Sequence, residues 1–272
     1  MSEQQQSRRH QDEQQFGTSE LQLALHRGEF EPYYQPIVGP AGYWRGAEIL
    51  IRWRHPQHGL LSPAAFLPPL EGAQLLVKAT QHMLARVAQH WRRCCAPEDG
   101  PFFISFNTSR AHLHSSALPD DCRDFLDALG DSALDLMVEM PERGSDLSMP
   151  DCAAVFQQLE LAGVAVALDD FGVGDARLHQ FASGQIACVK IDQSFVREIG
   201  TNPSYRRLIA KIVQFARGFD AYVTAEGVES AAQYRWLRRL GVKLFQGYLF
   251  DRPLPASTFF ERLPLMREPQ LA

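Results

Sequence analysis

The sequence predicts a closed (β/α)8 TIM-like barrel whose first strand runs antiparallel to the others. Three observations lead there. From residue 102 onward, short apolar runs of strand length alternate with amphipathic segments of helix length. One of these runs, Val164 to Leu168, is apolar throughout and small or β-branched at all but Leu168, as strands are when helices cover both faces of a parallel sheet. The strands number eight, the count of a closed barrel of about 250 residues, and no Gly-x-Gly-x-x-Gly follows any of them to suggest an open dinucleotide-binding sheet. With 272 residues, 45% of them apolar, the chain can bury a core of that size in one domain.

Taken in order, residues 1 to 17 are polar and Gln-rich without apolar periodicity, and are expected to be a disordered tail. The barrel domain is expected over residues 18 to 264. Ser19 to Gly28 combines a capping hydroxyl, helical apolar spacing and a closing glycine, which predicts a short helix. Phe30 to Val38 and Tyr43 to Trp53 are strand-like and are joined by Gly39-Pro40-Ala41-Gly42, a hairpin signature that makes the opening pair antiparallel. Pro56, Pro63, Pro68 and Pro69 predict a broken loop with one short helical piece. Leu75 to Trp91 follows as an amphipathic helix. The alternation then places strands at Phe102 to Phe106, Leu134 to Glu139, Val164 to Leu168, Ala187 to Ile191, Ala221 to Ala225 and Val242 to Phe245. Helices are expected at Pro119 to Leu129, Pro150 to Leu161, Ser204 to Phe219, Ser230 to Leu240 and Pro255 to Arg262, with a polar tail over 265 to 272.

Composition narrows the function. A formal net charge of −5 supplies no basic field for a nucleic-acid polymer. Five cysteines, odd in number and without Cys-x-x-Cys spacing, suit reduced thiols. No run approaches the roughly 20 apolar residues that cross a bilayer, and the first residues hold no apolar signal core. The protein is therefore expected to be soluble and cytoplasmic, with neither membrane nor nucleic-acid polymer as a partner.

The chemistry-bearing residues gather where strands end, which is where barrel enzymes carry their active sites. Glu48 lies in the second strand, Asn107 ends the third, and Glu139 the fourth. Asp169 and Asp170 stop the fifth strand abruptly, Lys190 is near the end of the sixth, and Glu226 and Gln246 follow the seventh and eighth. Each alone has a bland reading: a solvated strand residue, a helix cap, a loop contact, or for Asp169-Asp170 an Asp-rich turn. Together they form a mouth of hard oxygen donors suited to Mg2+ or Mn2+, while the nine histidines show no metal-ligand spacing and no serine has the partners of a catalytic triad.

These residues fall within eight ordered motifs: Gln35-Pro36-Ile37-Val38, Glu48-Ile49-Leu50-Ile51-Arg52-Trp53, Asn107-Thr108-Ser109, Glu139-Met140-Pro141-Glu142, Asp169-Asp170-Phe171-Gly172, Lys190-Ile191-Asp192-Gln193-Ser194-Phe195-Val196, Ala225-Glu226-Gly227-Val228-Glu229 and Gln246-Gly247-Tyr248. In them the sequence resembles the EAL domain of bacterial cyclic di-GMP phosphodiesterases, over roughly residues 20 to 264. The resemblance implies hydrolysis of one phosphodiester bond of cyclic di-GMP to linear pGpG, with two metal ions, Mg2+ or Mn2+, at the site. It implies Glu48, Asn107, Glu139 and Asp169 as ligands of one ion, and Asp169, Asp170 and Glu226 as ligands of the second. By the same resemblance Lys190 holds the attacking water, Gln35, Leu50 and Arg52 contact the substrate, Glu229 and Gln246 act just outside the ligands, and Glu142 anchors the loop after the fifth strand. Family members often pair near that loop, so a homodimer is expected.

The chain departs from the family pattern in three places. Ile49 replaces the central Ala of the name motif, Pro141 replaces a usual Thr, and Val173-Gly174-Asp175-Ala176-Arg177 stands where the family has Thr-Gly-Tyr-Ser-Ser. The last departure supports a rival reading, a cyclic di-GMP receptor that has lost turnover and signals through a regulatory protein partner. A third reading is a different metal-assisted lyase or hydrolase on the same superfold.

Overall fold

The computed structural model describes residues 16–94, 102–113, 115, 117–130, 134–141, 149–173, 181 and 185–267, with the backbone alone for 149–153. The short helix α1 (Thr18–His26) leads into the hairpin β1 (Phe30–Val38) and β2 (Trp44–His55). Next come β3 (Gly59–Leu61), α2 (Pro63–Gly72), α3 (Leu76–Cys94), β4 (Phe102–Asn107), α4 (Arg110–Leu113) and α5 (Ala117–Leu129). The remainder runs β5 (Leu134–Pro141), α6 (Met149–Leu161), β6 (Ala165–Phe171), β7 (Ile186–Ile191), α7 (Gln193–Arg197), α8 (Pro203–Arg217), β8 (Tyr222–Ala225), α9 (Ala231–Leu240), β9 (Leu244–Phe245), β10 (Leu254–Pro255) and α10 (Ala256–Met266).

Eight strands close on themselves in the order β1-β9-β8-β7-β6-β5-β4-β2, and the β1–β2 pairing completes the ring. β1 is antiparallel to both its barrel neighbours, and the other pairings within the barrel ring are parallel. The hairpin signature at Gly39 to Gly42 thus set the odd strand of the barrel. Two short strands were not expected: β3 folds back on β2, and β10 pairs with β1 at Tyr33 and Tyr34.

The proline-rich stretch differs from expectation. Pro68 and Pro69 sit inside α2, which continues to Gly72. Each proline removes a backbone donor, but Phe66 and Leu70 of the same helix are fully buried, and Phe66 packs against Phe30 and Trp53 at 5.4 and 5.9 Å. Packing of the apolar face holds the helix where its ladder is interrupted. Phe16, inside the segment read as a tail, is also buried, 4.5 Å from the Trp53 ring.

Within the barrel the period of two along each strand stacks side chains in layers. Met137, Ala167 and Cys188 form a buried apolar layer edged by Phe103, Ala165 and Tyr222. Two residues further along the same strands come Glu139, Asp169 and Lys190. The polar mouth therefore rests on an apolar floor, which keeps water from reaching its charges from below.

Candidate active site

Lys190 is the hub of the mouth. Its side chain is 2% exposed, and its ammonium Nζ lies 2.5 Å from Glu139 Oε2, 2.6 Å from Glu226 Oε1, 3.2 Å from Asp169 Oδ1 and 3.5 Å from Glu48 Oε2. Strands β2, β5, β6 and β7, with the segment after β8, each bring one member. Asn107 donates its Nδ2 to Glu48 Oε1 at 2.6 Å, and Gln246 donates its Nε2 to Glu48 Oε2 at 2.7 Å and to Gln35 Oε1 at 3.1 Å. Gly247 places Gln246: a Cβ there would come within 2.3 Å of the Val228 backbone, so only glycine allows that close pass.

Asp169 and Asp170 reach the mouth together because the end of β6 is bulged. Between the ladder pairs Leu168–Val189 and Phe171–Ile191, β6 has one residue more than β7. Asp170 sits in the extra position at φ +54°, a left-handed conformation that Asp tolerates better than most residues. Without the extra residue, strand alternation would aim the two carboxylates at opposite faces. With it, one carboxylate oxygen each from Asp169, Asp170 and Glu226 lie within 4.8 Å of one another.

Three of these carboxylates, Glu139, Asp170 and Glu226, hold their protons more tightly than usual. Burial, then the charge of Glu48, push Glu139 well above the usual carboxylate range, against the pull of Lys190. Burial pushes Glu226 up to about 8, with Asp169 and Glu48 adding to it, and Asp170 up to about 6, with Asp169 and Asp192 adding. Burial alone would lower the Lys190 ammonium, but Glu139, Glu226, Glu48 and Asp169 together hold it well above its ordinary value. A site built this way is short of positive charge. Among the described residues, Glu139 Oε1 and Gln246 Oε1 are buried without a hydrogen-bond partner, and so is Asp169 Oδ1, which meets Lys190 only as an ion pair. Unpartnered buried oxygens beside a tight carboxylate trio fit a hard divalent cation.

A cavity of about 280 Å3 opens above this cluster, lined by Gln35, Glu48, Asp169, Glu226, Glu229 and Gln246, and by Gln193, Gly227, Gly247 and Tyr248. The expected second-ion residues Asp169, Asp170 and Glu226 are thus already assembled, whereas Glu48, Asn107 and Glu139 are joined through hydrogen bonds and Lys190. Leu50 and Arg52 lie outside the cavity lining. Arg52 donates to the Ile51 carbonyl at 2.8 Å and lies over the Tyr33 ring at 5.7 Å, within electrostatic reach of Tyr248 and Glu48. Glu142 and residues 174–177 lie outside the described residues.

Sequence reasoning assigned no role to Asp192. Its carboxylate adds to the upward push on Asp170, and it caps α7 by accepting from the Ser194 backbone at 3.0 Å. The signal was available: Asp192 is two residues past Lys190, on the same face by strand period. Tyr248 was also missed as a wall of the cavity. It is half exposed, with the Arg252 guanidinium 4.0 Å over its ring.

A parallel barrel with one antiparallel strand, carrying a carboxylate mouth fit for divalent cations, defines a barrel with a candidate metal site. The chain belongs to the EAL domain family, whose profile matches residues 18–253. It is 34% identical over 238 residues to the probable cyclic di-GMP phosphodiesterase PdeG of Escherichia coli strain K12, covering 86% of this chain and 46% of that protein. It is 31% identical to the cyclic di-GMP phosphodiesterase PdeL of the same organism, covering 88% and 66%. The chain therefore spans about half to two thirds of the length of these relatives. Among solved structures it is similar to the PaMucR phosphodiesterase in complex with c-di-GMP, with a TM-score of 0.80 and 31% identity over 89% of this chain and 98% of that one.

Proposed function

We propose that this chain is a metal-dependent phosphodiesterase that hydrolyses cyclic di-GMP to linear pGpG. The observation that carries the reading is the carboxylate trio Asp169, Asp170 and Glu226 set beside the Lys190 ammonium, with unpartnered buried oxygens at hand. The phosphodiesterase names of the relatives and the ligand of the similar PaMucR structure supply the substrate.

In this reading Asp169, Asp170 and Glu226 hold one cation, and Glu48, Asn107, Glu139 and Asp169 hold a second, Mg2+ or Mn2+ in each case. When bound, the cations would acidify a water and neutralise the phosphate oxygens of an in-line displacement. Lys190 would orient the attacking water through its ammonium donors. The water oxygen bonds to phosphorus, the bond to the ribose 3′ oxygen breaks, and that oxygen leaves with a proton as the 3′ hydroxyl of pGpG. Gln35 and Leu50 contact the substrate, and Arg52 offers a planar donor pair to phosphate. Gln246 keeps Glu48 oriented from outside the ligand set, and Glu229 lines the entry.

The receptor reading rested on residues 173–177, of which only Val173 is among the described residues, and no observation favours it. No helix among the described residues is long and apolar enough to cross a membrane. We further place the protein in the cytoplasm as a homodimer open to a regulatory partner; light scattering that returns a monomer mass at micromolar concentration, with and without ligand, refutes the dimer. For the activity, purified protein with Mn2+ or Mg2+ should convert cyclic di-GMP to pGpG, and Glu48→Ala should abolish the conversion. Equal turnover by Glu48→Ala would sink the ligand assignment.

A further inference from the structure

The bulge that aims Asp169 and Asp170 at one point is held from outside the barrel by a clasp of aromatic rings. Phe171, the next residue, rejoins the ladder opposite Ile191 and is 4% exposed. Its ring stacks on Phe215 of α8 with centroids 6.3 Å apart and meets Phe181 edge-on at 6.0 Å. Phe181 is the one described residue between 173 and 185, and it packs edge-on against Phe215 at 4.8 Å. Phe219 closes the group, 5.5 Å from Phe181 and 5.0 Å from Phe215.

Gly172 is gripped from the other side. It has φ +96°, and a Cβ there would lie 3.1 Å from the Phe195 ring of α7 and 3.7 Å from Ile212 of α8. The segment just past the two carboxylates is therefore wedged between α7 and α8. The backbone conformation of the bulge is a costly one. Asp170 is left-handed, which costs any residue with a Cβ, and the turn behind it includes a long hydrogen bond, Val173 N to Asp170 O at 3.3 Å. If Phe171 shifts, an ordinary strand path becomes available, and that path turns one carboxylate away from the mouth.

We propose that Phe215 and Phe181 are positioning residues for the Asp169–Asp170 pair: by clamping Phe171 they keep the bulge in register and the cation site that includes Asp170 assembled. The inference rests on the cation-binding part of the proposed function and is independent of the substrate. Its first readout is therefore Mn2+ binding to the protein alone, by calorimetry and by loss of the free Mn2+ paramagnetic signal, with thermal melting in EDTA alongside.

Phe215→Ala and Phe181→Ala should weaken Mn2+ binding about 10- to 100-fold, the range typical of residues that orient metal ligands from outside. The loss should approach that of Asp170→Ala. Phe215→Tyr, which keeps the ring, should restore near wild-type binding. Phe259→Ala serves as the control. That ring stacks on Tyr34 and Trp44, on the outer core under α10, so its loss should lower the melting temperature and leave Mn2+ binding unchanged. Should Phe215→Ala melt below the assay temperature, Phe215→Leu carries the same test. Wild-type Mn2+ binding in both Phe215 and Phe181 variants overturns the clasp, as does equal weakening by Phe259→Ala. A wild type that binds Mn2+ but leaves cyclic di-GMP intact refutes the phosphodiesterase reading without touching the clasp. A wild type that binds no Mn2+ refutes both.

Discussion

Replacing Lys190 by methionine keeps most of the apolar stem and removes the one ammonium that four carboxylates share. Glu139 is 1% exposed and Glu48 6% exposed, so two of those carboxylates are left without solvent to screen them. Removing one partner of a buried ion pair typically costs about 3–5 kcal/mol. At roughly 2–4 °C per kcal/mol for a domain of this size, Lys190→Met should melt roughly 6–20 °C below wild type in EDTA at pH 8. The loss should shrink at pH 5.5, because carboxylates whose affinity for protons is already raised then neutralise themselves. Mn2+ should restore more of the melting temperature in the variant than in wild type, since a cation replaces the missing charge and no ammonium competes with it. Differential scanning calorimetry at the two pH values, with EDTA and with Mn2+, measures all three effects. A variant that melts within about 2 °C of wild type in EDTA at pH 8 would show that Lys190 does not carry the mouth's charge balance.

Three further outcomes are expected. The folded, metal-free chain holds more protons on Asp170 (about 6) and Glu226 (about 8) than the unfolded chain, so its stability should fall as pH rises from about 4 toward 8; over the same window Mn2+ competes with fewer protons, and the Mn2+-induced rise in melting temperature should grow, a flat response being contrary evidence. Arg52→Ala should raise KM about 10- to 100-fold with a smaller change in kcat, as expected for loss of a charged hydrogen bond to phosphate made in both ground and transition states; an unchanged KM would remove Arg52 from the substrate site. Installing the family residues together by Val173→Thr, Asp175→Tyr, Ala176→Ser and Arg177→Ser should raise turnover roughly two- to tenfold or tighten metal use, as regained hydroxyl contacts of about 0.5–1.5 kcal/mol would, and identical kinetics and metal titrations in the two proteins would separate this loop from catalysis.

The sequence by itself determined the barrel and the kinds of atoms at its mouth. Both are properties of spacing: a period of two in the strands, a period of 3.6 in the helices, and polar residues that begin where the apolar runs stop. That is why Glu48, Asn107, Glu139, Asp169, Lys190, Glu226 and Gln246 could be named strand by strand, and why the Gly39 to Gly42 turn marked the antiparallel pair. Register between strands is a different kind of information, because it depends on contacts between residues far apart in the chain. Only the tertiary structure placed Lys190 within reach of Glu48, 142 positions away, and put one extra residue into β6 so that Asp169 and Asp170 face the same way. It also carried α2 through Pro68 and Pro69, because the burial of Phe66 and Leu70 outweighed the local preference of proline for a break. Asp192 lay between these two kinds of information: strand period put it on the face of Lys190, but its charge acts on Asp170 only because the bulge brings Asp170 to it.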